Sequence, residues 1–176
     1  IFSENLFVTQ HPYCLDNFDK DELNMPIWIS KWLKKSFLNK INEAKKFPSK
    51  IYIDRRDSDY HEQRTIVNED EIINFLKKKD FTPIQLSKYS FIDQVKLFRD
   101  ANHVVGLHGA GFSNIVFCKD NTNILEFRTK DTGKLYENIG IQNNLNFKNI
   151  ESKSLNPKDT IQQGSIYVDV KDIENL

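Results

Sequence analysis

Residues 103–117 read HVVGLHGAGFSNIVF. A short apolar run, Val104-Val105-Gly106-Leu107, stops at His108. It turns through Gly109-Ala110-Gly111 and resumes as an apolar stretch from Phe112 to Phe117. That order is strand, glycine turn, helix. The first amides of a helix lack intrahelical partners and sit at the positive end of its dipole, so the turn suits a phosphate or diphosphate. Glycines there let a ligand approach the backbone, and His108 at the mouth adds a donor. The spacing is neither the G-x-G-x-x-G of a dinucleotide fold nor a P-loop, which needs Lys-Ser/Thr after the turn. From the motif alone, a ligand turn and a structural turn stand equally open.

Around it the chain alternates strand and helix. ENLFVTQ, within residues 1–10, reads as a strand and 13–26 as a loop. From Ile27 to Ala44 apolar residues recur at helical spacing. KIYIDRR (50–56) is a strand, and Asn68 caps the helix NEDEIINFLKKKD, acidic at its start and basic at its end. FTPIQL (81–86) is a strand and Ser90 caps SFIDQVKLFRDA. After the glycine turn, NTNILEF is a strand, 128–143 a loop or short helix, and LNFKNI a weak strand. Residues 151–164 read as exposed loop, SIYVDV alternates like a strand, and KDIENL opens a closing helix. Such alternation with short connections predicts an α/β fold: a Rossmann-like parallel sheet with helices on both faces. Ligands bind beyond the carboxyl ends of such strands. Three polar groups then meet at one rim: Arg55-Arg56, His108-Gly-Ala-Gly and Glu126.

The 176 residues carry 25 Lys and Arg against 25 Asp and Glu, so no global field favours nucleic acid. Thirteen Phe, six Tyr and two Trp furnish a core. Cys14 and Cys118 match no metal or redox spacing and read as free thiols. No run approaches the ~20 apolar residues of a membrane helix, and no secretory signal is visible. The chain opens on Ile1-Phe2 rather than Met, which we read as the C-terminal part of a longer protein.

Guanidinium forks suit phosphate. Arg55 and Arg56 end a strand, and Arg64 precedes the helix opened by Asn68-Glu69. Taken alone, arginines among Asp54, Asp57, Asp59 and Glu62 read as surface ion pairs; facing HGAG at a sheet mouth, they read as phosphate ligands. Asn114 lies within reach of the same ligand, or is a capping group. Glu126 at a strand end suits ribose hydroxyls. His11, His61 and His103 show no metal spacing. Asp57-Ser58-Asp59 has the letters D-x-D but lacks the adjacent hydrophobic run, so we assign no metal site. No nucleophilic triad is readable.

Together, YIDRRDSDYHEQRTIVNEDEIINFL, FTPIQLSKYSFIDQVKLFRDANHVVGLHGAGFSNIVF and NILEF resemble the C-terminal region of glycosyltransferase family 61, over roughly residues 50–127. The family includes capsular-polysaccharide enzymes, plant pentosyltransferases and EGF-domain O-linked N-acetylglucosamine transferases. The matching positions are Arg55, Arg56, Arg64, Asn68, Glu69, Gln94, Phe98, His108, Gly109, Ala110, Gly111, Asn114 and Glu126. Three departures stand out: Asp54 replaces the usual Ser, Phe112 the usual Leu, and Asp120-Asn121 the usual Pro-Gly. Asp54 places a negative charge beside the phosphates unless Arg55 or Arg56 pairs with it.

The resemblance implies the C-terminal half of a GT-B glycosyltransferase. Residues 1–49 would be an interdomain segment and leading helix, and 50–176 the nucleotide-sugar-binding domain. It implies inverting, metal-independent transfer from a nucleotide sugar, UDP-linked, to a hydroxyl of a glycan or protein, in capsule or surface polysaccharide biosynthesis. The nucleotide-sugar contacts would be Arg55, Arg56, Arg64, Asn68, Glu69, His108, Gly109, Ala110, Gly111, Asn114 and Glu126. His108 is a candidate catalytic group, and the general base is expected outside this chain, in an N-terminal acceptor domain. A capsule enzyme would be cytoplasmic and peripheral to the inner membrane, a eukaryotic one lumenal in the ER or Golgi. The reading of another class is a non-catalytic nucleotide- or phosphate-binding α/β module.

Overall fold

A computed structural model of the chain describes residues 26–58, 64–130, 132–155 and 164–176. The expected first strand, Cys14, Asp59 and His61 lie outside these residues. Five strands form one parallel sheet: β1 (Lys50–Ile53), β2 (Thr82–Ile84), β3 (His103–Leu107), β4 (Asn123–Thr129) and β5 (Asn146–Ser152). Their order is β2-β1-β3-β4-β5, with every neighbouring pair parallel. The chain runs outward from β1 to β2, then returns past β1 to β3. The switch point is therefore between β1 and β3, and a crevice opens there at the strands' carboxyl ends.

The pleat sends successive residues to opposite faces. Ile51, Ile53, Val104 and Ile124 meet one core, Tyr52, Val105, Leu107, Leu125 and Phe127 the other. On the first face lie α1 (Ile27–Phe37), α3 (Phe91–Asp100), a 3-10 helix (Ala110–Phe117) and α4 (Leu135–Gln142). On the second lie α2 (Glu69–Lys77), through Ile72, Ile73 and Leu76, and the segment carrying Ile166, Val168 and Ile173. Helical elements on both faces explain why the strands read as continuous apolar runs. Among the described residues no helix is long and apolar enough to cross a membrane.

Several expected elements change form. The helix from Ile27 stops at Phe37, and a 3-10 turn, Leu38–Lys40, follows. Beyond it Asn42 makes a local turn: its Oδ1 accepts from Ala44 N–H and its carbonyl from Lys45 N–H. α1 joins the strand domain's core through Leu33 and Phe37. The helix after the glycines is 3-10 rather than α. At three residues per turn, Phe112 and Ile115 eclipse one another and both are buried. β1 ends at Ile53, short of the expected Arg56. β2 is only three residues long because Pro83 allows pairing solely at the sheet edge it occupies. The segment 128–143 contains α4. SIYVDV makes isolated bridges at Ile166, and a 3-10 turn, Val170–Ile173, stands where the closing helix was expected.

Gly106 stands beside Ile53 in the sheet register. A Cβ on it would lie 3.1 Å from Ile53 Cβ and 3.3 Å from Phe112 Cε2. The missing side chain lets the 3-10 helix close onto β3. Gly106→Val should cost about 1–3 kcal/mol by overpacking, measured as a lower urea midpoint at unchanged m-value.

Candidate functional site

The loops after β1 and β3 and the segment before α2 meet at one atom. The carbonyl oxygen of His108 accepts from Arg55 Nη1 at 2.8 Å and from Arg64 Nη1 at 2.9 Å. Both arginines are half-buried, and among the described residues neither pairs with a carboxylate. Burial lowers the pKa of both, and the Arg55 charge depresses Arg64 further. Both guanidiniums stay protonated at any physiological pH. Two like charges thus face each other with only a neutral carbonyl between them, an arrangement that an anion would relieve. Each guanidinium has four N–H donors besides the one given to this carbonyl.

Gly109 has φ 164° and ψ 173°, extended backbone open to any residue. Its need is space: a Cβ would fall 2.8 Å from Arg55 Cζ. At Gly111 a Cβ would fall 2.9 Å from Leu86 Cδ1 and 3.3 Å from Ile53 Cγ2. The glycines expected to admit a ligand therefore admit first the arginine and the turn beyond β2. The first 3-10 bond runs from Phe112 N–H to Gly109 O, leaving the amides of Gly109, Ala110 and Gly111 outside that ladder. A hollow of about 160 Å³ lies here, bounded by Arg55, Asp57, Leu86, Ala110 and Gly111. It is smaller than the usual ~300–1,000 Å³ ligand pocket and takes part of a ligand. A larger hollow of about 250 Å³ sits at the amino ends of β3, β4 and β5, around His103, Asn123 and Asn146, away from the converging groups.

Beneath the glycine turn, His108 Nδ1 lies 2.6 Å from Glu126 Oε1. Glu126 is 1 % exposed, turned inward onto the imidazole. That contact occupies Nδ1, so Nε2 is the ring nitrogen not bound to Glu126. The Tyr136 ring packs at a tilt against His108, with centroids 4.9 Å apart, and against Phe112 at 5.7 Å.

The remaining expected contacts have protein partners. Arg56 grips Asp54 with both ends of its fork, Nε to Oδ1 at 2.9 Å and Nη2 to Oδ2 at 2.7 Å, and also reaches Asp70. The Asp54 charge is thereby neutralised, and Arg56 is the arginine spent on it. Burial acts to raise the Asp54 pKa, but the Arg56 bonds outweigh it and leave the carboxyl below its ordinary value. Asn68 does not cap α2 with its side chain; its amide brackets Val168, donating to the carbonyl at 2.8 Å and accepting from the N–H at 3.2 Å. Glu69 accepts from Tyr52 OH at 2.6 Å, and burial raises its pKa. Asn114 donates to Gln94 Oε1, while Gln94 Nε2 donates to the carbonyls of Leu86 and Tyr89. This chain braces the turn that walls the hollow. Asp57 accepts from Ser87 N–H at 3.0 Å. Among the described residues no cluster of His, Cys, Asp and Glu suits a metal ion. The Cys118 thiol is buried, its pKa pushed up to about 12, and is chemically inert.

Sequence reasoning missed Tyr136 and Arg128. Arg128 is 4 % exposed and lies 3.7 Å from Glu126 Oε2. The two-residue spacing from Glu126 to Arg128 on one strand was the available signal, because it puts both on one face.

Residues 2–125 match the family model described as Glycosyltransferase 61. Similar curated proteins are EGF domain-specific O-linked N-acetylglucosamine transferases. The Canis lupus familiaris protein is 28% identical over 80 residues, 43% of this chain and 15% of that protein. The Bos taurus protein is 30% identical over 70 residues, 37% of this chain and 13% of that protein. The Drosophila melanogaster protein is 24% identical over 95 residues, 52% of this chain and 18% of that protein. The aligned stretch thus spans less than a fifth of these relatives' length.

Two outcomes follow from the geometry. Gly109→Ala must displace the flexible end of Arg55, so stability should fall by less than about 2 kcal/mol. Pyrophosphate binding, measured by calorimetry, should weaken about tenfold, or ~1.4 kcal/mol. Ionised Asp54, with its lowered folded pKa, adds stability that is present above the unfolded value of about 3.9 and is lost as pH falls through the folded value. Urea unfolding at several pH values should therefore show Asp54→Asn less stable than the parent by a constant gap above about pH 5, narrowing below about pH 4.

Proposed function

Since this chain belongs to glycosyltransferase family 61, we propose that it is the donor-binding part of an inverting, metal-independent sugar transferase. On this reading it forms one half of a GT-B pair and holds a UDP-linked sugar by its diphosphate. The observation that carries the reading is the convergence of Arg55 and Arg64 on the His108 carbonyl, with no carboxylate between them among the described residues.

As the bond from the anomeric carbon to the diphosphate oxygen breaks, negative charge grows on the leaving phosphate. Donors fixed in advance around that oxygen lower the barrier because they need no reorganisation when the charge appears. The guanidiniums of Arg55 and Arg64 supply charge, and the Gly109–Gly111 amides supply fixed dipoles. His108, backed by Glu126, supplies a further donor once Nε2 is protonated. The acceptor hydroxyl, on a protein or a glycan, attacks the opposite face of the sugar. The base that takes its proton belongs to the rest of the enzyme. Because the similar proteins are O-linked N-acetylglucosamine transferases, N-acetylglucosamine is the first sugar to test.

Calorimetry with UDP and UDP-N-acetylglucosamine tests the reading. Arg55→Ala and Arg64→Ala should each weaken UDP at least about tenfold, the ~1.4 kcal/mol expected at minimum for a charged hydrogen bond. UDP affinity unchanged in both variants would sink it.

A further inference from the structure

Glu126 is a buried carboxylate with one satisfied oxygen. Oε1 meets His108 Nδ1 at 2.6 Å, whereas Oε2 has no hydrogen-bond partner among the described residues. A buried carboxylate in that state takes up a proton unless a positive charge holds it ionised. The nearby cation beneath the site is Arg128, Nη1 3.7 Å from Glu126 Oε2. Arg128 is also buried, and its Nε has no hydrogen-bond partner among the described residues. Two further acids share its guanidinium: Nη2 donates to Glu151 Oε1 at 2.9 Å, and Nη1, the nitrogen nearest Glu126, also donates to Glu137 Oε2 at 3.5 Å. The strand register makes this possible, for Arg128 stands directly beside Glu151 of β5.

We propose that Arg128 is a positioning residue: it holds Glu126 as a carboxylate, which pins a proton on His108 Nδ1 and leaves Nε2 as the nitrogen open to a ligand. The proposal rests on the phosphate reading only for its effect on UDP. When a diphosphate arrives, Nε2 must take a proton to donate to it. Ionised Glu126 is then the counter-charge of the imidazolium. Without Arg128, Glu126 takes a proton from solvent and its hydroxyl donates to Nδ1. The imidazole proton then sits on Nε2, and the imidazolium has lost its counter-ion. The other groups facing this dyad are Glu137 and Glu151 beyond Arg128, the Tyr136 ring over the imidazole, and Arg55 and Arg64 on the His108 carbonyl. Arg64 also interacts with the Glu126 charge, from the far side of His108; among the described residues Arg128 is the cation nearest Glu126 Oε2.

The test is nitrogen NMR of the His108 ring at pH 8, where an ordinary imidazole is neutral, with the signal assigned against His108→Gln. The unsubstituted chain should show the proton on Nδ1. Arg128→Met should move it to Nε2 and weaken UDP about tenfold, and Arg128→Lys should restore both. Should Arg128→Met fail to fold, Arg128→Met with Glu151→Gln conserves net charge while still removing the cation nearest Glu126 Oε2, and should give the same tautomer change. A proton on Nε2 in the unsubstituted chain, or one that stays on Nδ1 in a folded variant lacking Arg128, overturns the proposal. Failure of the unsubstituted chain to bind UDP would count against the phosphate reading alone, since the tautomer is read without nucleotide.

Discussion

One carbonyl oxygen organises this protein's rim. The backbone of His108 is held from below by its own N–H, which donates to the Phe127 carbonyl at 2.8 Å. Its oxygen is then presented upward to two guanidiniums. Hydrogen bonds from charged donors are worth about 1.5–3 kcal/mol each, enough to set loop positions against the entropy of long side chains. Three sequence segments, 54–58, 64–68 and 108–111, are thereby fixed relative to one another. What remains is concentrated positive charge at a sheet switch point, the place where α/β folds bind ligands.

The layers beneath separate charges by function. Asp54 is buried, and Arg56 closes on it as a bidentate pair. That pair removes one negative and one positive charge from the rim together, leaving Arg55 and Arg64 as its cations. A second layer lies under His108, where Glu126, Arg128, Glu137 and Glu151 form a chain of alternating charges running from the imidazole outward across β4, α4 and β5. Buried charges of this kind persist only when each has a partner. The chain is thus tied to the packing of the elements that carry it.

Much of the fold was legible because it depends on local pattern. Val104-Val105-Gly106-Leu107 and Ile124-Leu125 read as buried strands from their apolar runs, and Ser90 read as a cap, its Oγ accepting from Asp93 N–H at 3.2 Å. The 3-10 form of 110–117 was not legible, since its apolar content suits either helix and only the need to bury Phe112 and Ile115 on one side decides. At the site, residue types were readable while partners were not. Arg55, Arg56 and Arg64 look alike in sequence, yet one binds an aspartate and two share a carbonyl. Glu126 read as a ribose ligand at a strand end, and its contact with the His108 imidazole was not legible because its neighbours on the other pleat face say nothing of what covers it. Arg128 and Tyr136 went unseen because their importance lies in contacts to His108 and Glu126 made across the fold.

By itself the sequence determined the alternation of strands and helices, the glycine turn and the supply of arginines beside it. These follow from periodicity and from residue chemistry, which act over a few positions along the chain. Only the tertiary structure decided strand order, and with it which loops share the switch point and which charges neutralise one another. Coulomb energy and burial depend on distances through space, and residues 53 or 44 positions apart in sequence can meet within 3 Å of one oxygen.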